Sequence, residues 1–272
     1  MSDSDYLVHF ATPKVANFLK LIDALKEQVK EITFRCVQEG IFIIEYNKTA
    51  ELFIKIFLSG ENFSGEYEVN SEEPVMITLD MLSFAKIMKT IKSNSLSISF
   101  SVDKRAMSKL NINIIESKNR RRSITLNKLK KNVVEYEIPQ EKWTAQARFP
   151  TEDIHKIIKD MGSYAEKLCI TFINNKKDKN TMQIRCTSEI VHEDLHTIVG
   201  ESLDSDGEDD DDILITGVFD IKVISLFLKY GNISQNVILY VKKDKPFMFQ
   251  YDVGDFGIAR FLMAQRPSKD SN

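Results

Sequence analysis

The alternation of apolar and polar residues predicts many short β-strands along the whole chain. Apolar runs of five to seven residues, often alternating with polar positions, are separated by short polar turns. β-branched and aromatic residues dominate these runs, as is typical of strands that are buried on at least one face. The clearest examples are residues 40–46, 52–57, 110–114, 182–186 and 247–251.

Four other segments have helical periodicity, with apolar residues recurring every three or four positions on one face. The apolar stripes are Val15, Phe18, Ile22, Leu25 and Val29 in the first segment, Met81, Phe84, Met88 and Ile91 in the second, Ile154, Ile157, Ile158 and Met161 in the third, and Val223, Leu226, Phe227 and Tyr230 in the fourth. The opposite faces carry Lys20 in the first segment, Lys86 and Lys89 in the second, Lys156 and Lys159 in the third, and Lys222 and Lys229 in the fourth.

A lysine face on a single helix is usually no more than a solvated surface. Acids also share these faces, among them Asp23, Glu27 and Asp160. Because the arrangement repeats on four helices, it favours a shared basic surface. Such a surface could follow the phosphates of a nucleic acid without reading its bases.

The two halves of the chain resemble each other. Ile32-Thr33-Phe34 recurs as Ile170-Thr171-Phe172, at an offset of 138 residues. The helix before this motif recurs at an offset of 136, and the second helix with its following strand at 140. Offsets near half the chain length predict a duplicated unit with two helices and many strands. Helices that cover one face of antiparallel sheets make an α+β protein.

Composition narrows the class of protein without identifying it. The 272 residues include 37 Lys+Arg and 40 Asp+Glu, with 43% hydrophobic residues and a formal net charge of −3. Such a chain can bury a sizeable core, which excludes disorder over the whole length. No run approaches the ~18 apolar residues of a membrane span, and no apolar core of a signal peptide follows the acidic start. We therefore expect a soluble, intracellular protein whose three scattered cysteines are reduced thiols.

Charge is concentrated in two segments of opposite sign. Residues 204–212 hold seven acids and no base, so the rest of the chain has a net charge of +4. We expect this run to be a solvated loop, because it lacks the spaced ligands of a calcium-binding EF-hand. Residues 118–131 hold seven Lys and Arg and no acid. They are expected to form an exposed connector between the two halves.

Two motifs raise the alternative of an enzyme. His192, Glu193 and His196 fit H-E-x-x-H, in which a helix places both imidazoles on one face around zinc and the Glu acts as a base. Because the residues before this motif alternate like a strand, a zinc metallohydrolase is the less favoured hypothesis. Asp255-Phe256-Gly257 matches the kinase D-F-G, but the sequence contains neither a glycine-rich phosphate loop nor H-R-D.

Residues at several places resemble the sliding clamps of the proliferating cell nuclear antigen (PCNA) family, along nearly the whole chain. Leu25-Lys26 and the strand that begins at Gly40 match the family's first helix and strand. Phe149-Pro150-Thr151 resembles the opening of its second domain, and Ile138-Pro139 stands where its connecting loop ends. Further matches are Phe219, Ile221, Lys222, Phe227 and Lys229 in the fourth helix, and Asp255-Phe256-Gly257 with Arg260-Phe261-Leu262-Met263-Ala264 in the C-terminal segment.

This resemblance implies an α+β DNA-clamp fold of two similar domains, each with two helices packed on antiparallel sheets. The domains would be residues 1–121 and 140–272, joined by an interdomain connecting loop at 122–139. Three subunits would form a head-to-tail ring around double-stranded DNA, with the helices lining the hole. The DNA-facing cations that the resemblance implies are Lys20, Lys26, Lys86, Lys89, Lys156, Lys159, Lys222 and Lys229.

The resemblance also implies protein partners, namely a DNA polymerase, a clamp loader and other proteins with a PCNA-interacting peptide motif. The pocket for that peptide would comprise Tyr46, Leu52, Phe53, Ile138, Pro139, Pro246, Leu262, Met263 and Ala264. The subunit contact would join Ser123, Ile124, Thr125 and Leu126 to Leu195, His196, Thr197, Ile198 and Val199 of the next copy. Two departures from the family are Gln265, where proline is usual, and the basic residues Lys128, Lys130 and Lys131 in a loop that is often acidic.

We therefore predict a non-enzymatic DNA sliding clamp that acts as a polymerase processivity factor, with no cofactor, no metal and no membrane partner. One alternative is a clamp-like DNA-binding subunit that is monomeric or part of a hetero-oligomer. The alternative of another class is the zinc metallohydrolase. The expected location is the nucleus for a cellular protein, and the nucleus or a cytoplasmic replication site for a viral one.

Overall fold

The computed structural model describes residues 5–130, 142–175, 180–203 and 212–266, apart from the side chain of Phe227. The chain divides into two compact units, each built from segments that are distant in the sequence. Unit 1 comprises Met1–Lys48, Ile54–Glu137 and Val253–Ala259, and unit 2 comprises Thr49–Phe53, Ile138–Asp252 and Arg260–Asn272.

Unit 1 contains two sheets and two α-helices. Its strands are β1 (Tyr6–Thr12), β2 (Glu31–Val37), β3 (Gly40–Tyr46), β4 (Leu52–Ser59, whose first two residues count with unit 2), β5 (Tyr67–Val69), β6 (Val75–Asp80), β7 (Ser97–Asp103), β8 (Lys109–Ser117) and β9 (Arg120–Asn127). One sheet has the order β5-β1-β7-β8-β9, and the other runs β6-β2-β3-β4. The helices are α1 (Val15–Leu25) and α2 (Met81–Met88), and a short 3₁₀ helix spans Gly60–Phe63.

Unit 2 is built in the same way. Its strands are β10 (Ala145–Pro150), β11 (Lys167–Asn174), β12 (Thr181–Cys186), β13 (Asp194–Val199), β14 (Glu201–Ser202), β15 (Ile213–Asp220), β16 (Asn236–Val241), β17 (Phe247–Asp252) and β18 (Gly257–Met263, whose first three residues count with unit 1). One sheet runs β14-β10-β16-β17-β18, and the other has the order β13-β12-β11-β15. The helices are α3 (Thr151–Met161) and α4 (Ile221–Ile224), and a 3₁₀ helix spans Ser225–Asn232.

The connectivity of unit 2 repeats that of unit 1, strand for strand. Strand β1 pairs with β5 and β7, and its counterpart β10 pairs with β14 and β16. Likewise β2 pairs with β3 and β6, and β11 pairs with β12 and β15. All of these pairs are antiparallel. The internal repeat in the sequence therefore reflects a duplicated α+β unit, as predicted.

The helices form where predicted, and their apolar stripes enter the cores. Phe18, Ile22, Met88 and Ile158 are almost fully buried. The fourth helix differs from the prediction, since four residues of α-helix give way to a 3₁₀ helix. This segment contains Gly231, and glycine disfavours a regular helix. A larger residue would not fit there, because an added Cβ would be 2.4 Å from the imidazole Nδ1 of His155. No helix in the described ranges is long and apolar enough to cross a bilayer.

The basic segment 118–131 is not a connector for most of its length, which corrects the sequence-based expectation. Residues 120–127 form β9, which pairs with β8 so that Ile124 lies opposite Ile112. The backbone N–H of Leu129 then donates to the carbonyl of Thr78 on β6 at 2.8 Å. The expected connecting loop at 122–139 therefore begins as a strand, because Ser-Ile-Thr-Leu alternates in polarity and half-buries Ile124 and Leu126. The rest of that loop, and residues 204–211 of the acidic run, lie outside the described residues.

Candidate functional site

Unit 1 presents its predicted lysines on the exposed sides of α1 and α2. Helix α1 buries its apolar stripe and leaves Lys20 exposed. Lys26 caps the C-terminal end of α1, is half-buried, and pairs with Asp23 one turn earlier. Lys86 and Lys89 are exposed on the last turn and at the C-cap of α2. The exposed sides of these two helices therefore carry at least three cations.

The acidic residue at the start of α2 is engaged in capping that helix. The side chain of Asp80 accepts a hydrogen bond from the backbone N–H of Ser83 at 2.8 Å. Hydrogen bonds from Ser83 lower the pKa of Asp80, and the nearby charge of Lys86 lowers it further. A carboxylate at this position also complements the helix dipole. Negative charge thus sits at the N-terminal end of α2, while the lysines lie in its last turn.

Unit 2 repeats this arrangement on α3 and α4. Lys156 and Lys159 are exposed on α3, after the acids Glu152 and Asp153 of its first turn. The side chain of Asp220 accepts from the backbone N–H of Lys222 at 2.9 Å, and the Lys222 side chain is exposed. Lys229 is half-buried in the 3₁₀ helix that follows. Four predicted lysines of this unit therefore lie on its helices, three of them exposed.

His155 of α3 is polar but does not add positive charge to this face at neutral pH. Its Nε2 lies 3.1 Å from the hydroxyl of Tyr251. Burial lowers the pKa of His155 to about 4, because the charged imidazolium would lose its hydration. The imidazole is therefore neutral under physiological conditions, and the basic character of α3 comes from lysine.

The segments predicted for the subunit contact are strands at sheet edges. Strand β9 ends one sheet of unit 1, and β13 ends one sheet of unit 2. On β9, the hydroxyl of Thr125 donates to Asn111 at 2.9 Å, and Ser123 donates to Asn113. On β13, Ile198 is buried whereas Leu195 and Val199 are 48% and 72% exposed. A strand at a sheet edge presents backbone N–H and C=O groups that can pair with another chain.

The residues predicted for the peptide pocket are found at different depths. In unit 2, Leu52 and Met263 are buried, Phe53 is nearly so, Leu262 and Pro246 are half-buried, and Ala264 is exposed. Gln265 donates from its amide to the carbonyl of Lys245 at 2.8 Å, which joins the C-terminal segment to the turn before Pro246.

The other members of the pocket set lie elsewhere in the chain. Tyr46 belongs to unit 1 and is 43% exposed. Ile138 and Pro139 lie outside the described residues. Of the described pocket residues in unit 2, Leu262, Pro246 and Ala264 are therefore the ones that are at least partly exposed.

The H-E-x-x-H residues do not lie on a helix. His192 and Glu193 precede β13, and His196 lies in β13 opposite Ile184. The Nε2 of His196 is 3.2 Å from a carboxylate oxygen of Asp194, and Glu193 pairs with Arg185 at 3.5 Å. The shared helical face that a zinc hydrolase requires is therefore not formed. Among the residues that the structure describes, no group of three or more His, Cys, Asp or Glu side chains could hold a metal ion.

Two side-chain contacts near these surfaces were not predicted from the sequence. Arg122 of β9 donates to the hydroxyl of Thr90, just after α2, at 2.8 Å. The rings of Trp143 and Tyr240 pack with centroids 5.9 Å apart at the start of unit 2. Because Trp143 is the one tryptophan of the chain, the sequence could have indicated it as a residue that packs on another aromatic ring. The contact of Arg122 with Thr90 could not be predicted from the sequence, because the two residues are 32 positions apart.

The comparisons with known proteins agree with the two-unit fold. The family model described as proliferating cell nuclear antigen, N-terminal domain, matches residues 11–137, and the one for the C-terminal domain matches residues 137–266. The chain is 21% identical to proliferating cell nuclear antigen 2 of Drosophila melanogaster, covering 91% of this chain and 92% of that protein. It is 22% identical to the probable DNA polymerase sliding clamp 1 of Paramecium bursaria Chlorella virus 1, covering 97% and 98% respectively.

A solved structure is similar over almost the full length. The crystal structure of proliferating cellular nuclear antigen from Entamoeba histolytica matches with a TM-score of 0.80 and 18% sequence identity. The match covers 96% of this chain and 100% of the other. At this identity the match establishes the fold, and the duplicated α+β unit described above is that fold.

Proposed function

Because this chain belongs to the proliferating cell nuclear antigen family, we propose that it is a DNA sliding clamp that acts as a polymerase processivity factor. The clamp encircles double-stranded DNA and tethers a DNA polymerase to it. Its role is topological, so it requires no bond to be made or broken. The protein is accordingly non-enzymatic, as sliding clamps are.

The observation that carries this proposal is the repeated placement of lysine on the outward sides of all four helices. Lys86 and Lys89 in unit 1 and Lys156 and Lys159 in unit 2 are all exposed. Lysine is a flexible point charge, so it attracts phosphate without fixing a register or selecting a base. Such a surface suits a protein that must hold DNA and still move along it.

Ring closure is proposed to use the two edge strands. Strand β9 of one copy adds to β13 of the next by backbone hydrogen bonding, and three such contacts close a homotrimer. Edge strands that remain unpaired invite aggregation, and pairing between subunits removes this hazard. The duplicated connectivity supports a ring of repeated units, because each copy would use one edge strand of each unit for these contacts.

Partner proteins are proposed to bind at the apolar surface of unit 2. Leu262, Pro246 and Ala264 offer an apolar anchor site to a short peptide motif of a DNA polymerase, a clamp loader or another replication and repair protein. Eukaryotic and viral clamps both occur among the relatives. The proposed location is therefore the nucleus, or the viral replication site if the source is a virus.

The DNA surface is tested by neutralising the four exposed lysines together. Lys86, Lys89, Lys156 and Lys159 are replaced by glutamine, and DNA-dependent stimulation of the cognate polymerase is measured at several salt concentrations. Stimulation is expected to fall at least tenfold, and DNA retention should lose salt dependence, because phosphate contacts release counterions.

The matched control removes the same number of charges away from the helices, at Lys104, Lys109, Lys242 and Lys243. This variant should retain most of the stimulation. Equal activity of both quadruple variants and the unchanged protein would contradict the proposed DNA surface.

Oligomeric state is tested by light scattering after size exclusion. The expected mass is three times the 31.3 kDa of one chain. A monomer across the accessible concentration range would reject the stable homotrimer and favour a monomeric or hetero-oligomeric clamp subunit. Introducing proline at Thr125 on β9 should abolish the trimer, because the register with β8 directs the backbone N–H of Thr125 to the free edge and proline cannot donate the hydrogen bond that pairing requires.

A further inference from the structure

The chain leaves its last strand, β18, through residues 264–266 of unit 2. Gln265, one of the two departures from the family, lies in this segment. Gln265 and Arg266 both make side-chain hydrogen bonds to residues that are distant in the sequence. We call these two residues, with the groups that they contact, the C-terminal clasp.

Gln265 fastens the segment to the turn between β16 and β17. Its side-chain amide donates to the carbonyl of Lys245 at 2.8 Å. Because Lys245 directly precedes Pro246 and Gln265 directly follows Ala264, this hydrogen bond brings Ala264 close to Pro246. Gly217 leaves room for the Gln265 side chain, since a Cβ at residue 217 would lie only 3.2 Å from the Gln265 Cδ.

Arg266 fastens the same segment at three further points of unit 2. Its backbone N–H donates to the carbonyl of Val218 on β15 at 2.9 Å. Its guanidinium donates to a carboxylate oxygen of Glu51 at 2.5 Å and lies 3.7 Å from a carboxylate oxygen of Asp220. Glu51 belongs to unit 2 although it precedes β4 in the sequence. One arginine thus joins residues 264–266 to two separate parts of the unit.

Both carboxylates are themselves held in place by a second hydrogen bond. The other oxygen of Glu51 accepts from the hydroxyl of Thr49 at 2.7 Å. The other oxygen of Asp220 accepts from the backbone N–H of Lys222 at 2.9 Å, at the start of α4. Because these acceptors are oriented in advance, Arg266 meets a fixed pair of carboxylates, which favours one position of the segment.

We propose that Gln265 and Arg266 are positioning residues for partner-peptide binding, because the clasp holds Ala264 beside Pro246 before a peptide arrives. This inference rests on the proposed binding of partner peptides to unit 2. Residues beyond the last strand of a domain are poorly ordered unless other residues hold them. A surface that is already ordered binds more tightly, since less conformational entropy is lost on binding. The clasp therefore raises the affinity for a peptide without touching it.

Peptide affinity tests the clasp in the full chain. A fluorescent synthetic peptide with a PCNA-interacting motif is titrated with each protein, and its anisotropy is measured. Arg266→Gln and Glu51→Gln should each weaken binding about fivefold. The double variant should bind about as well as either single variant, because both substitutions remove the same contact. Arg266→Lys keeps the charge without the planar guanidinium, so its affinity should lie between those of Arg266→Gln and the unchanged protein.

Hydrogen exchange without peptide provides the second readout. The backbone amides of residues 264–266 should exchange faster in Arg266→Gln than in the unchanged protein, because the segment opens more often. The matched control is Arg148→Gln, which breaks the ion pair of Arg148 with Glu201 elsewhere in unit 2. This control should leave both the peptide affinity and the exchange of residues 264–266 unchanged.

The direction of the two effects separates positioning from direct contact with the peptide. If Arg266 attracted or repelled a charged peptide, removing this cation and removing the acid Glu51 would change the affinity in opposite directions. Opposite changes would therefore overturn the inference. Faster exchange of residues 264–266 with unchanged affinity would also overturn it, because the clasp would then serve stability alone.

The remaining outcomes separate this inference from the proposed function. If the unchanged protein binds the peptide and the variants at Arg266 and Glu51 bind it equally well, the clasp is rejected and the partner surface stands. If the unchanged protein does not bind the peptide, the proposed partner surface is rejected together with this inference.

Discussion

Units 1 and 2 share one connectivity, yet they differ in their second helices and in the charge around their edge strands. Helix α2 of unit 1 runs for eight residues, whereas α4 of unit 2 stops after four and continues as a 3₁₀ helix. The edge strand β9 begins with three arginines, whereas the acids around β13 are paired within their own unit. The buried pattern that specifies the fold has been retained in both copies, whereas their exposed surfaces have diverged.

The largest effect on the free energy of unfolding is expected from substitutions in the two cores. Comparing them tests whether the cores are equivalent. Phe34 and Phe172 occupy matching positions in the repeated Ile-Thr-Phe motif and are 2% and 0% exposed. Replacing either by alanine should reduce the free energy of unfolding by about 3–5 kcal/mol, because each leaves a large cavity. Denaturant titration of both variants measures this. A loss below about 1 kcal/mol at one site would show that its unit is packed differently from its counterpart.

A smaller effect on stability is expected at a position where one unit has a titratable residue and the other does not. His155 of α3 corresponds to Leu19 of α1 at the repeat offset of 136. Because burial lowers the pKa of His155 to about 4, the folded state resists protonation. Its stabilising contribution is therefore complete above the unfolded pKa near 6.5 and is lost as the pH falls toward 4.

The variant His155→Leu gives α3 the residue that α1 carries, and isolates this contribution. Both proteins should become less stable as the pH falls from 7 to 4. After allowance for solvent screening, the drop in the free energy of unfolding should be about 2 kcal/mol smaller for the variant than for the unchanged protein. Thermal melts across this pH range are the measurement. Parallel pH profiles for the two proteins would show that His155 is not the source of acid sensitivity.

The smallest difference concerns the threonine of the repeated motif. Thr33 is buried with its hydroxyl 3.2 Å from that of Thr78, whereas Thr171 is partly exposed and 3.0 Å from Thr216. Thr33→Val should cost about 1–2 kcal/mol, because the hydroxyl of Thr78 is left buried without this partner. Thr171→Val should change stability by no more than about 0.5 kcal/mol, since water can replace its partner. Equal costs in denaturant titration would refute this distinction.

Much of the fold and of the candidate site could be predicted because the relevant signals are local. A period near 3.6 residues located all four helices, and the lysines opposite each stripe are on the helices as predicted. The repeat offsets correctly indicated a duplicated unit. The DNA-binding roles of these lysines remain predictions.

Other features could not be predicted because they depend on distant residues. The alternation in residues 123–126 was visible, but whether those residues formed a connector or an edge strand depended on their pairing with β8. The burial of Leu52 and Met263 likewise depends on packing within unit 2.

The sequence by itself determined the elements, the duplication and the positions of the cations, because periodicity and charge are properties of neighbouring residues. Only the tertiary structure decided that His192 and His196 share no helix, that Arg122 contacts Thr90, and that the imidazole of His155 is neutral. The physical reason is that sheet pairing, side-chain contact and desolvation are set by residues that are far apart along the chain and close together in the fold.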